Sequence, residues 1–186
     1  MITTERRDLF RQRRDAMGAH RPAALTLERK LLELGGEAVV FLPFNDHRFE
    51  EIAVHGQEWH FQTPQRRGAG LPIWRVPGEP SECHGTSAAL WWRSRGRVQL
   101  VTGWALSPDG LWRRHSWCIG VECIIETTPS ERLRYFGIAL GPGEAFMFAG
   151  EVGVPAVVRL AKRQAPPPKW FLGALRAAGP SPGPRR

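Results

Sequence analysis

Residues 97–119, RVQLVTGWALSPDGLWRRHSWCI, place two alternating runs on either side of Pro108-Asp109-Gly110. Alternation of that length fits a pleated strand, and a Pro-Asp-Gly tripeptide has the backbone preferences of a reversing turn. A β-hairpin with strands over 97–107 and 111–119 is therefore expected, and the rest of the chain must pair with it or pack on it. Gly120 leads at once into a third strand over 121–127, and LRYFGIAL at 133–140 supplies a fourth.

A tight turn at Gly120-Val121 makes a specific geometric prediction. It sets His115 opposite Glu126, Trp117 opposite Ile124 and Cys118 opposite Cys123. Directly opposed residues of an antiparallel pair project to one face with Cβ atoms about 4.5–5.5 Å apart, within reach of an imidazole–carboxylate hydrogen bond.

Helical patterns surround this strand region. Thr3 or Thr4 caps an Arg-rich run to Met17, with Leu9 and Phe10 among few apolar anchors. Leu27, Leu31 and Leu34 line one side of a helix over 25–34 that stops at Gly35-Gly36. EAVVFLPF at 37–44 reads as a buried strand. Ile52, Val54, Trp59 and Phe61 suggest a short hairpin, and the Gly-, Pro- and Arg-rich stretch 65–82 a substrate-contacting loop. Cys83 opens a helix of about three turns that closes at Gly96, and 143–152 forms a short helix.

The formal charge of +8 is unevenly spread. Residues 1–21 carry +3 and residues 159–186 carry +7 with no acid, so the 137 residues between them sum to −2. Basic ends attract polyanions without implying a groove, and no DNA- or RNA-binding motif accompanies them. The expected organisation is a basic N-terminal arm or helix over 1–21, one domain over 22–158, and a basic Pro-rich tail over 159–186 that contains Trp170, Phe171 and Leu172. Three cysteines do not make a secreted disulfide framework, and no apolar run suits a signal peptide or a bilayer span. A cytoplasmic chain with no membrane contact is the expectation.

The chemistry-bearing residues follow from this layout. A cysteine in the first turn of a helix gains from unpaired backbone N–H groups and the positive end of the helix dipole, which favour thiolate over thiol. Cys83 is thus a candidate nucleophile, His115 its base and Glu126 the group that orients the imidazole. Cys118 and Cys123 read as core packing. A metal site is not expected, because the Cys and His spacings match no compact zinc pattern and alternation sends His115 and Cys118 to different faces.

ECHGTSAALWW at 82–92, VTGWALSPDGLWRRHSW at 101–117, IIETT at 124–128 and RYFGIAL at 134–140 resemble a group of uncharacterised bacterial proteins. These in turn resemble the papain and transglutaminase superfamily of cysteine enzymes. The resemblance implies an α+β fold in which a nucleophile-bearing helix packs on an antiparallel sheet of about four to six strands, with N-terminal helices added. It also implies the order Cys83, His115, Glu126, no cofactor, and an acyl-enzyme formed on an amide or ester carbonyl. A peptidase, amidase, deamidase or acyltransferase acting on a protein, peptide or small amide fits. Trp74 is similar in role to the indole that transglutaminases use at the oxyanion, and His84, Thr86 and Trp117 join it as oxyanion or substrate-binding residues. The chain departs from the pattern at Thr86, where Asn is expected, and has no counterpart of papain's oxyanion glutamine. Those departures leave an alternative: an inactive binding module on the same fold, whose basic tails engage a protein or nucleic-acid partner.

Overall fold

A computed structural model describes residues 3–41, 48–60, 71–76, 78 and 80–153. The outer part of the run 37–44, the stretch 61–70 and the tail 159–186 lie outside the described residues. Among the described residues the fold is α+β, with five α-helices and a mixed seven-stranded sheet. In chain order these are α1 (Thr4–Asp15), α2 (Arg21–Glu33), β1 (Ala38–Val39), α3 (Phe49–His55), β2 (Gln57–Trp59), β3 (Ile73–Arg75), α4 (Cys83–Arg93), β4 (Gln99–Leu106), β5 (Leu111–Ile119), β6 (Ile124–Glu126), β7 (Arg134–Ala139) and α5 (Pro142–Glu151).

The strands hydrogen-bond in the order β2-β7-β4-β5-β6-β3, and β1 pairs with β5. An antiparallel sheet was the expectation, and two pairs depart from it: β1 lies parallel to β5 and β3 parallel to β6. Each parallel pair joins segments with helix and strand between them, which gives the chain room for a crossover. Hairpin neighbours have no such room and run antiparallel.

Two units divide the chain. The first comprises residues 1–60, 102–115 and 130–138, and the second 61–101, 116–129 and 139–186.

In the first unit, Thr3 caps α1 through its hydroxyl, which accepts from the Arg6 N–H. Phe10 is the buried residue of that helix and packs with Ala38, Leu111 and Val40. Pro22 sits in the first turn of α2, so the helix begins at Arg21 rather than at 25, and Leu27 and Leu31 bury its inner side. Where alternation suggests a hairpin, the chain forms α3 and only then β2. Phe49, Ile52 and Ala53 fall at i, i+3 and i+4 and are all buried, whereas Val54 is exposed. The helical period therefore outweighs the Ile52/Val54 alternation. β2 then pairs antiparallel with β7, Trp59 opposite Tyr135. Phe41 and Trp104 meet the Phe49 ring at 5.6 and 5.4 Å, and the Trp112 indole donates to the Gly35 carbonyl at 2.7 Å.

In the second unit, β6 pairs with β3 on one side and with the end of β5 on the other. α4 and α5 pack together. Glu144 starts α5 by accepting the Gly141 N–H at 2.6 Å.

The β5–β6 register differs from the one that a two-residue turn dictates. The observed partners are Cys118 with Ile125 and Ile119 with Ile124, so the predicted oppositions of His115 with Glu126, Trp117 with Ile124 and Cys118 with Cys123 are replaced. The turn is longer: the Gly120 N–H bonds the Cys123 carbonyl at 2.9 Å, leaving Val121 and Glu122 as an exposed tip. That displaces each partner by two residues, an even number, so the side to which each residue projects is unchanged.

Candidate functional site

Cys83 is the first residue of α4, as the sequence predicts. The residue before it, Glu82, makes no side-chain cap, and Ser81 holds a left-handed backbone with φ of 64°. A non-glycine residue in that region costs free energy that its surroundings must offset. Here the first turn of α4 is tied down by hydroxyls. Thr86 Oγ1 donates within the Glu82 carbonyl's reach at 2.7 Å and stands 3.0 Å from Thr127 Oγ1. Ser87 Oγ lies 2.9 Å from Thr127 Oγ1 and donates to the Ser116 carbonyl at 2.9 Å. Thr86, Ser87, Ser116 and Thr127 are all fully buried. A neutral network of this kind fixes the approach of helix to strand because each unmade bond would leave a buried polar atom exposed to apolar surroundings.

Gly78 belongs to the same joint. A Cβ on it would overlap the Thr127 carbonyl oxygen and press on Thr86 Cγ2, so the backbone passes where no side chain fits. His84, half-buried, brings its Nδ1 within 2.7 Å of Ser116 Oγ and sets its ring edge-on to Phe148 at 5.8 Å. Thr86, expected beside an oxyanion, thus uses its hydroxyl in the helix–strand joint, and His84 stands against β5 through Ser116.

Strand alternation sorts the remaining residues of this unit. Cys118 Sγ donates to the Ser87 carbonyl at 3.4 Å, so the strand side carrying Ser116, Cys118, Ile125 and Thr127 receives α4. Trp74, level with Ile125 in the β3–β6 register, projects to that same side. Trp117 and Glu126 project to the other side, and both are fully buried. Glu126 Oε1 accepts from the Thr128 N–H at 2.9 Å and from the Thr128 hydroxyl at 2.8 Å.

The other two cysteines have different surroundings. Burial first, and then the negative charge of Glu126, pushes the Cys118 thiol far above its ordinary value. Burial also raises Cys123. Both are held as thiols at neutral pH.

His115 is described with the first unit, fully buried, its ring 6.1 Å from that of Tyr135. Cys83 and Glu126 belong to the second. Sequence reasoning did not single out Ser87, Ser116 and Thr127. Their signal was present in the i+4 spacing from Cys83 to Ser87 and in the Ser that follows His115, but hydroxyls at such spacings are common on solvated faces as well. No protein-family model, no curated protein and no solved structure matches this chain significantly.

Proposed function

We propose that the chain is a thiol-dependent enzyme that acts on an amide or ester carbonyl through an acyl-enzyme, on a papain/transglutaminase-like core. The observation that carries this reading is the position of Cys83 at the first residue of an eleven-residue helix whose opening turn is braced by buried hydroxyls. The backbone N–H groups there favour the thiolate and would later hold the oxyanion, with Trp74 as a second donor. Cys83 attacks the carbonyl carbon, His115 takes the thiol proton and returns it to the leaving group, and Glu126 orients the imidazole. Water or an amine then releases the acyl group. Thr86 supports the nucleophile indirectly by joining Glu82 to Thr127. Burial raises the thiols of Cys118 and Cys123, which makes both poor nucleophiles.

A second reading is favoured by one observation. α4 packs on the strand side that carries Thr127, whereas Glu126 projects to the opposite side. On that reading the fold is a catalytically inactive binding module.

Labelling with iodoacetamide across pH decides between them. The enzyme reading expects Cys83 to react well below pH 8, and His115→Ala to move its titration up towards the ordinary thiol value of about 8.5. Cys83→Ala should abolish the labelling. An ordinary titration of Cys83 that ignores His115 and Glu126 substitutions would establish the module instead.

A further inference from the structure

The second unit carries an apolar cluster that its core does not use. Trp92 at the end of α4 and Phe146 on α5 stack with ring centroids 5.9 Å apart, and both remain more than half exposed, at 54% and 58%. Met147, the next residue of α5, is 62% exposed. Phe148 and Ala149 already supply the buried side of α5, so Phe146 and Met147 are not displaced core residues. Two exposed rings in contact across two helices, with a third large apolar side chain next in sequence, mark a surface that meets something.

The charges beside the cluster narrow what that is. Arg95 and Arg97 are exposed and follow Trp92 within the turn that ends α4, the Arg95 N–H bonding the Trp92 carbonyl at 3.0 Å. The acids on α5 are Glu144, engaged in the helix cap, and Glu151 at its far end. A second copy of the chain would bring the same two arginines. Residues 159–186 carry seven basic residues and no acid. Like charges disfavour both occupants, and an anionic partner is favoured. Trp92 and Phe146 turn their rings towards each other and Met147 has no aromatic face, which suits a lipid boundary better than a run of stacked bases. Neither α4 nor α5, at eleven and ten residues, is long enough to cross a bilayer, so the contact is with the surface alone.

We propose that the Trp92–Phe146–Met147 cluster docks the protein on an anionic membrane surface, the three apolar side chains entering the headgroup–acyl boundary while Arg95 and Arg97 meet lipid phosphates. The proposal is independent of the thiol reading, since Cys83 lies at the other end of α4.

Sedimentation of the full chain with phosphatidylcholine vesicles, with and without phosphatidylglycerol, tests it. The chain should bind the anionic vesicles alone, and Trp92→Ser with Phe146→Ser should weaken binding about tenfold or more. Arg95→Gln with Arg97→Gln should weaken it by a similar factor, and more so at low salt. Trp92→Phe should keep binding yet lose the quenching of tryptophan emission by bromine in the acyl chains. Unchanged binding of the Trp92/Phe146 variant would assign the affinity to basic residues elsewhere and overturn the proposal. So would absence of binding to the anionic vesicles, in which case a Phe146-dependent dimer or a Trp92-dependent complex with single-stranded oligonucleotide would name the occupant instead. Circular dichroism of the exposed-site variants should match the parent, which keeps misfolding from imitating the result.

Discussion

The two units use polar groups in opposite ways. In the first, charge meets charge near the surface: Arg7 pairs with Glu37, Arg113 with Asp109, and Arg134 with Glu58. In the second, around the start of α4, neutral hydroxyls meet in the interior: Thr86 and Ser87 each hydrogen-bond Thr127, and all three are fully buried. Surface pairs are screened and contribute little to stability, whereas buried hydroxyls are costly to leave unpaired and so hold one geometry. The contrast teaches where this fold demands accuracy, which is at the turn that presents Cys83.

The largest way to break that contrast is Gly78→Ala. The added carbon overlaps the Thr127 carbonyl, so the backbone at residue 78 and the segment at Thr127 must move apart. A loss of about 3 kcal/mol is expected, read from urea unfolding. A neutral result would mean that the joint yields easily and that the second unit is no more exacting than the first.

Thr127→Val comes next. It removes the hydroxyl that both Thr86 and Ser87 approach, and should cost about 1–3 kcal/mol independent of salt. The matched change in the first unit, Arg134→Gln, breaks the pair with Glu58 and should cost about 1 kcal/mol or less, shrinking as salt rises. Equal costs for the two variants, or a salt-dependent Thr127→Val, would erase the distinction.

The smallest effect belongs to Asp109. Its hydrogen bonds from Arg113 hold the carboxyl below the ordinary range. A lowered folded-state value means that the contribution is complete above pH about 4 and fades as pH falls through the lowered value. Asp109→Asn should therefore lower the melting temperature slightly at pH 7, and the difference from the parent should vanish in strong acid. A difference that grows on acidification would contradict the sign.

Much of this was legible in the sequence. The hairpin about Pro108-Asp109-Gly110, the helix beginning at Cys83, the strand over 134–139 and the helix at 142–151 all stand where local patterns placed them. Three misreadings share a cause. α3 lay under an ambiguous short apolar run, β3 is a three-residue strand in a Gly- and Pro-rich stretch, and the β5–β6 turn is two residues longer than the shortest solution. In each case local sequence allows several conformations, and contacts with distant segments choose among them. The candidate site divides in the same way: a cysteine at a helix start can be read from the chain, but the hydroxyls that brace it come from β5 and the end of β6, some thirty to forty residues on.

By itself the sequence determined the elements whose signals are short-range: turn dipeptides, caps, and periods of two or 3.6 residues that persist over several turns or pleats. The tertiary structure alone decided the parallel placement of β1 and β3, the register that aligns Cys118 with Ile125, and the seating of α4 on the side of the strands that carries Thr127. The reason is that pairing and packing free energies depend on residues far apart in the chain. A strand's local pattern specifies which of its faces is apolar but not which partner, at which offset, will cover it.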